Sequence, residues 1–213
     1  CYALTEGLCA IPLLTSGTSA LEGPAAAALA ATRRHGISTW KARGRMWSGL
    51  FALGAGHPSA YERDLRPAFD EIGEALYVLH YTGFVSAVCE ALGRLGREDE
   101  GIGLAAAGIE RARRFKDQCS LSELLRAQGE LMDRRPATRH LAEAVLVEAM
   151  QTSMQHEALA WRLRCATSLA RVWAEKGSTE EARGVLRPVY EAFTEGFGTD
   201  DLWTARRMLE ALR

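Results

Sequence analysis

The sequence has no valine- or isoleucine-rich alternating run, and only 6 of its 213 residues are proline. Strands with one buried face alternate apolar and polar residues, so this absence predicts an all-helical protein. No apolar segment approaches the ~18 residues that a membrane-spanning helix needs, so we expect no membrane partner. The net charge of -1 gives no electrostatic reason to expect binding to nucleic acid or to an anionic membrane.

The five cysteines are dispersed and include no CxxC pair: Cys1, Cys9, Cys89, Cys119 and Cys165. This pattern favours neither a zinc site nor a disulfide framework. We interpret the cysteines as small buried hydrophobic side chains in a reducing compartment. Together with the lack of a signal peptide, this predicts a cytoplasmic location.

Motifs that carry chemistry are also missing from the sequence. It contains no phosphate-binding GxxxxGK[ST] loop, and the glycine-rich segment 49–56 follows no predicted strand. No HxxxH pair lies on one helix face, so no metal site is predicted. We therefore predict that this chain is not an enzyme and that it has no cofactor.

Glycines mark a regular spacing along the chain. Gly17, Gly56 and Gly96 are 39 and 40 residues apart, and Gly177 follows 81 residues later, a distance of two repeats. A period near 40 is typical of an α-solenoid. We predict a single all-α domain over 1–213, built from about five antiparallel helix pairs. The repeats fall at about 1–36, 37–78, 79–116, 117–156 and 157–197, followed by a capping helix at 199–212.

Local signals specify where many of these helices begin. A serine followed three residues later by glutamate forms a capping box, and this pattern occurs at Ser19, Ser59, Ser120 and Ser178. In the fifth repeat, the small Ala170 and Ala182 would allow the two helices to approach closely. The tryptophans at 40, 47, 161, 173 and 203 either pack between repeats or line a groove.

The helix pairs resemble tetratricopeptide repeats with longer helices. In the fifth repeat, Ala170, Gly177 and Ala182 match the small positions of that repeat, and Trp173 matches its large aromatic position. The segment 161–212, beginning WRLRCATSLARVWAEKGSTEEA, resembles the C-terminal end of large bacterial signalling ATPases. These proteins carry a class III nucleotide cyclase or a winged-helix domain, then a STAND-type ATPase, then a tetratricopeptide-like array. The resemblance implies that this chain is the sensor or scaffold arm.

The resemblance also implies where a ligand would bind, since tetratricopeptide repeats use the inner positions of their first helices. Transferred to this sequence, those positions are Arg43, Glu90, Arg94, Glu123, Arg126, Arg164, Thr167 and Arg171. An arginine-rich groove suits a peptide carboxylate or an acidic segment, through bidentate hydrogen bonds. The alternative is that these arginines only solvate their helices.

We therefore predict a non-catalytic module that binds a protein, a peptide or a small-molecule signal within a bacterial signalling or transcriptional regulator. The alternative function is self-association, in which the exposed end near Cys1 stacks on another copy to form a homo-oligomer.

Overall fold

The computed structural model describes residues 3–11, 13, 17–35, 38–72, 81–118 and 120–212. All regular secondary structure in these ranges is helical, and they include no strand. The all-α prediction is therefore confirmed. Within the same ranges, no helix combines the length and the hydrophobicity that crossing a bilayer requires. The chain divides into two compact units, Cys1–Arg97 and Glu98–Arg213.

The first unit mixes α-helices with tighter and wider helical turns. Its α-helices are α1 (Glu22–His35), α2 (Ser38–Gly54), α3 (Arg66–Ile72) and α4 (Tyr81–Arg94). A π-helical segment, Ala3–Cys9, lies within the first predicted helix, and a second, Tyr61–Leu65, runs directly into α3. Ser19 lies inside a 3₁₀ turn, Thr18–Leu21, so the helix start predicted at Ser19 is wrong.

Three glycines of α2 allow neighbouring segments to come close. A Cβ at Gly49 would lie 3.0 Å from Asp64 Cβ and 3.0 Å from Leu65 Cγ. At Gly44 and Gly54, a Cβ would collide with threonine side chains. Close packing therefore compensates for the roughly 1 kcal/mol of helix propensity that each glycine costs against alanine.

The residues of the second unit that the structure describes form six helices, which pack in sequence order. They are α5 (Glu98–Phe115), α6 (Leu121–Arg134), α7 (Arg139–Gln155), α8 (Leu159–Glu175), α9 (Thr179–Glu191) and α10 (Asp200–Ala211). Each contacts the next helix along the chain, and α6 also contacts α8, which in turn contacts α10. The helices therefore pack in neighbouring pairs, and the first helices of successive predicted repeats also meet.

The glycines that set the predicted period all end or join helices in a left-handed conformation. Their φ angles lie between 72° and 90°, at Gly17, Gly56, Gly96 and Gly177. After α8, the Ser178 amide donates to Trp173 O at 2.9 Å and the Gly177 amide donates to Ala174 O at 3.0 Å. This bond pair is the helix-ending motif that glycine favours, so the helix stop predicted at Gly177 is confirmed.

A second series of left-handed residues was not evident from the sequence. Lys116 has φ 57° and Glu157 has φ 52°, and the Asp117 amide donates to Ala112 O at 2.8 Å, as in the glycine motif. Gly196, with φ 76°, continues the series. These three positions are 41 and 39 residues apart. Lys116 and Glu157 follow the ends of α5 and α7, whereas Gly196 lies in the connection between α9 and α10.

The N-cap positions predicted for the second unit are occupied as expected, but without the predicted side-chain bonds. Ser120, Ser178 and Thr199 precede α6, α9 and α10, and none of them makes a side-chain cap hydrogen bond. Thr199 Oγ1 instead donates to the carbonyl of Gly196 at 2.8 Å. The helix starts were correctly placed, although the capping-box mechanism does not operate at these residues.

The predicted apolar faces of the last three helices form one core. Ala170 and Ala182 are both fully buried, which confirms the close approach of α8 and α9. The core members are Leu163, Ala166, Ala170, Ala182, Leu186, Val189, Leu202, Ala205 and Leu212. α10 therefore covers the apolar surface of the preceding pair, where the sequence predicts a capping helix.

Helix α6 is buried on nearly every face. Residues 121–129 are all buried, including the polar Glu123 and Arg126. A Cβ at Gly129 would lie 2.7 Å from Leu146 Cγ, so α7 approaches α6 closely at this point. Because burying a charge is costly unless it is paired, α6 requires ionic partners from its own turns and from its neighbours.

Candidate functional site

The eight predicted site residues fall in both compact units. Three lie in the first unit on α2 and α4, which pack against each other: Arg43, Glu90 and Arg94. The other five lie in the second unit on α6 and α8, which are also in contact: Glu123, Arg126, Arg164, Thr167 and Arg171.

The first unit does not present its three predicted residues in one environment. Arg43 is 9% exposed, and its guanidinium lies over the ring of Trp40, 4.6 Å from the centroid. Glu90 is partly buried beside Cys89, whereas Arg94 is exposed at the end of α4. Stacking on Trp40 accounts for the position of Arg43 without a ligand.

In the second unit, Glu123 and Arg126 form a buried two-point ion pair within α6. Arg126 Nε donates to Glu123 Oε2 at 2.9 Å, and Arg126 Nη2 donates to Oε1 at 2.7 Å. The residues are 1% and 4% exposed. The fork of the guanidinium matches the carboxylate, which is the strong bidentate form of this interaction. Neither side chain merely solvates its helix.

Further polar contacts connect this pair to α8. Arg164 Nη1 lies 2.5 Å from Glu123 Oε1, so Glu123 is shared by two guanidiniums. Ser168 Oγ donates to Glu130 Oε1 at 2.6 Å, and Arg126 Nη1 lies 3.3 Å from the same oxygen. The charged groups of α6 and α8 therefore form one continuous network.

Arg171 belongs to a neighbouring branch on the same two helices. Its Nη1 donates to Asp133 Oδ2 at 2.8 Å and to Glu175 Oε1 at 2.9 Å. Arg139 Nε donates to the carbonyl oxygen of Asp133 at 2.7 Å. Asp133 is 4% exposed, so this branch fixes the C-terminal end of α6.

A polar cleft opens where α6, α8 and α10 meet. Its volume is about 160 Å³, and its lining consists of Arg126, Glu130, Arg164, Thr167, Ser168, Asp201 and Thr204. Three predicted site residues contribute to this lining. Arg164 Nε lies 3.6 Å from Asp201 Oδ1, which brings α10 into the charged network.

The cleft differs in charge from the arginine-rich groove expected from the sequence. It carries two guanidiniums and two carboxylates, and each guanidinium lies close to a carboxylate. An acidic partner at Arg126, Arg164 or Arg171 would have to compete with carboxylates of the chain itself. The lining therefore presents both signs of charge to whatever enters.

Sequence reasoning missed four lining residues: Glu130, Ser168, Asp201 and Thr204. Two of them could have been predicted from helical spacing. Glu130 lies seven residues after Glu123, and Ser168 lies four residues after Arg164, so each shares a helix face with a predicted residue. Asp201 and Thr204 depend on how α10 docks, which no spacing in the sequence specifies.

The Cys165 thiol, which lies beside the charged network, is unreactive. Cys165 is buried, and its Sγ lies 3.8 Å from the carbonyl oxygen of Ser122. Burial, aided by the nearby Glu123 carboxylate, raises the pKa of the Cys165 thiol to about 12. The thiolate is the nucleophilic form of cysteine, so Cys165 is not activated. Among the residues that the structure describes, no three His, Cys, Asp or Glu side chains cluster as a metal site would require.

The tryptophans divide between packing and exposure. Trp47 is 5% exposed and meets Phe84 edge to face, with ring centroids 5.1 Å apart. Lys176 Nζ and Trp173 Nε1 both donate to Glu143, and these bonds lower the pKa of that carboxyl below its ordinary value. Trp203 is 55% exposed. None of the tryptophans lines the cleft.

No protein-family model matches this chain, and a search of curated proteins found no match.

Proposed function

We propose that this chain is a non-catalytic recognition module, a tetratricopeptide-like array whose cleft between α6, α8 and α10 binds a polar ligand. The observation that carries the proposal is the cleft itself. Polar side chains from three helices converge on it, and the residues behind them are held in place by buried ion pairs. Preorganised polar groups lower the entropic cost of binding.

The array is supported by two interleaved series of left-handed residues. One includes Gly56, Gly96 and Gly177, and the other includes Lys116, Glu157 and Gly196. The contacts of α6 with α8 and of α8 with α10 are those expected when the first helices of successive repeats stack. We propose that the helix pairs repeat as a superhelix and that its inner face bears the cleft.

A binding role is favoured over catalysis by the state of the polar groups. Ser168 donates its hydroxyl proton directly to Glu130, with no histidine between them. The thiol of Cys165 is protonated at neutral pH because its pKa is raised to about 12. The lining does place a hydroxyl against a carboxylate, but the Glu130 oxygen that accepts from Ser168 also lies 3.3 Å from Arg126 Nη1 and belongs to the ion-pair network.

We further propose that the module is the sensor or scaffold arm of a bacterial signalling ATPase, acting in the cytoplasm. Its partner is a protein, a peptide or a small-molecule signal. The support is the resemblance of segment 161–212 to the C-terminal arrays of those proteins.

The proposal is tested with a defined ligand set and a blocked cleft. The thermal midpoint of residues 1–213 is measured with peptides of acidic, basic and mixed charge and with small polar metabolites. The same set is applied to Thr204→Trp, which fills the cleft from the exposed face of α10. We expect at least one ligand to raise the midpoint of the natural sequence but not that of Thr204→Trp. If no ligand does so, or if the chain alone hydrolyses or cyclises a nucleotide, the proposal is wrong.

Self-association remains the second candidate, and one observation favours it. Leu8 and Ile11, near the first helical segment, are 53% and 62% exposed. Contiguous exposed apolar patches mark interfaces, and we propose that these two side chains belong to one. Light scattering across concentration, repeated on Leu8→Lys, separates the two functions. Dimers that disappear in Leu8→Lys favour self-association, and a monomer at every concentration contradicts it.

A further inference from the structure

We infer that the cleft between α6, α8 and α10 recognises a small zwitterion, such as a free α-amino acid. This inference rests on the proposed function, because it specifies the ligand of the same cleft. Three features of the cleft support it: the paired opposite charges of the lining, the small volume and the hydroxyl groups.

The charges in the cleft occur as neighbouring pairs of opposite sign. Arg126 lies 3.3 Å from Glu130, and Arg164 lies 3.6 Å from Asp201. A simple anion placed against either guanidinium therefore also meets a carboxylate, and a simple cation placed against a carboxylate meets a guanidinium. A molecule with one ammonium and one carboxylate can satisfy both members of a pair at once.

The Arg164–Asp201 pair is the better placed of the two. Its separation of 3.6 Å is an ion-pair distance but exceeds the usual length of a hydrogen bond. Their side chains are 25% and 49% exposed, whereas the Arg126 side chain is 5% exposed. Arg164 also pairs with Glu123 through Nη1 at 2.5 Å, so we place the ligand carboxylate toward its Nε side and the ammonium toward Asp201.

The size of the cleft limits what can enter. Its volume of about 160 Å³ is well below the ~300–1,000 Å³ of sites that enclose a drug-sized ligand. The lining includes no aromatic and no large aliphatic side chain. The cleft suits a small polar head group whose substituent points outward.

Hydroxyl groups complete the recognition of an ammonium. Thr167 Oγ1 donates its own proton to Leu163 O at 2.8 Å, so its lone pairs are oriented to accept. Thr204 lies across the cleft from α8, on the same helix as Asp201. The lining therefore includes a hydroxyl from each of two helices, and we assign these as further acceptors for the ligand ammonium.

The test uses titration calorimetry with residues 1–213 and each of the standard α-amino acids. The strongest binder is then compared with its N-acetyl form, which lacks the positive charge, and its amide, which lacks the negative charge. We expect both derivatives to bind at least about tenfold more weakly, since each loses a charge-assisted interaction. If either derivative binds as well as the parent, or if no amino acid binds up to about 10 mM, the inference is wrong.

Matched variants localise the binding. We expect Asp201→Asn and Arg164→Gln to weaken the strongest binder at least about tenfold. Asp200→Asn and Arg206→Gln make the same chemical changes at exposed positions of α10 outside the lining, and should leave affinity unchanged. Equal effects of Asp200→Asn and Asp201→Asn would overturn the inference. The urea midpoint of each variant confirms that it is folded.

The two proposals fail in different ways. If a peptide or a ligand of one charge sign binds and Thr204→Trp blocks it, while amino acids do not bind, the zwitterion inference is wrong and the proposed function stands. If nothing in either set binds, both are wrong.

Discussion

The guanidinium of Arg164 on α8 reaches the buried carboxylate of Glu123 on α6, with Nη1 2.5 Å from Oε1. Glu123 is 1% exposed and also receives the two-point bond from Arg126. One carboxylate therefore holds guanidiniums from two helices. Glu123 therefore fixes the positions of the two arginine side chains that line the cleft, although it is not itself part of the lining.

The first prediction concerns the loss of that charge. Glu123→Gln preserves the shape of the side chain but leaves Arg126 without its main counter-ion. Breaking a buried pair by neutralising one partner typically costs 3–5 kcal/mol, and we expect about 3 kcal/mol here because Glu130 still lies close to Arg126. Urea denaturation monitored by circular dichroism measures the change.

Glu210→Gln is the matched control for this substitution. Glu210 pairs with Arg206 at 3.0 Å across one exposed turn of α10. Such exposed pairs are worth about 0.5 kcal/mol or less. If the two substitutions cost the same, the buried network does not stabilise the second unit as described.

The second prediction concerns the close contact of α6 with α7. A methyl group at Gly129 would lie 2.7 Å from Leu146 Cγ, so Gly129→Ala forces the buried Leu146 to shift. Overpacking costs about 1–3 kcal/mol and outweighs the gain of up to ~1 kcal/mol in helix propensity. We expect a net loss of about 1–2 kcal/mol in the free energy of unfolding.

Gly184→Ala makes the same chemical change without the contact. Gly184 is an exposed residue of α9, and a Cβ there meets no atom within 4 Å. We expect it to raise stability by about 0.5–1 kcal/mol, through helix propensity alone. If both substitutions change the free energy of unfolding in the same direction, α7 does not approach α6 closely at Gly129.

The third prediction concerns the two left-handed residues that are not glycine. Left-handed backbone costs a residue with a Cβ roughly 1–2 kcal/mol, and glycine avoids most of this at some cost in unfolded-state entropy. We expect Lys116→Gly and Glu157→Gly to stabilise the chain by about 0.5–1 kcal/mol. The gain should be larger at Glu157, since an acid at a helix C-terminus opposes the helix dipole.

Gly177→Ala is the comparison variant, because we expect it to change stability in the opposite direction. Gly177 has φ 85°, so alanine there should destabilise the chain by about 1 kcal/mol. Thermal unfolding of the three variants is a sufficient measurement. Stabilisation by Gly177→Ala, or no gain at Glu157, would contradict the assignment of these residues as left-handed helix ends.

The fourth prediction concerns the buried thiols. Cys9, Cys89 and Cys165 are buried thiols, and burial raises the pKa of both Cys89 and Cys165, the latter to about 12. In a chain with Cys1→Ser and Cys119→Ser, we expect iodoacetamide at pH 8 to label no thiol until urea unfolds the protein. Rapid labelling of the native chain would contradict the burial of these residues.

The raised pKa of the Cys165 thiol makes the free energy of unfolding depend on pH. The unfolded thiol ionises near its ordinary pKa of 9.0, whereas folded Cys165 stays protonated up to about 12. Its contribution to stability is therefore complete below pH ~9 and falls as pH rises through that window. We expect Cys165→Ala to reduce the loss of stability between pH 9 and pH 11 relative to the natural sequence.

The sequence predicts the helices well because their signals are local. Gly56, Gly96 and Gly177 stop helices through their own backbone freedom, and the apolar face containing Leu163, Ala166 and Ala170 follows from spacing alone. The left-handed residues Lys116 and Glu157 were missed, since nothing in their side chains favours that conformation. A sequence without a local signal at these two positions could not mark them as helix ends.

The candidate site could be predicted only in part. Arg126, Arg164 and Thr167 were placed on the correct helices, and all three line the cleft. Their pairing with carboxylates was not predicted, because it depends on how closely α6 and α8 pack. A helix that is buried on nearly every face, as α6 is, brings together acids and arginines that a surface helix would expose separately to water.

The most direct test of recognition at the cleft follows the methyl signals of its two threonines by nuclear magnetic resonance. The strongest amino acid binder is added to residues 1–213 with labelled threonine methyl groups. Saturable shifts at Thr167 and Thr204, with little change at Thr138 and Thr152, are the result that we predict. Shifts confined to threonines outside the cleft, or no shift at any threonine, would contradict it.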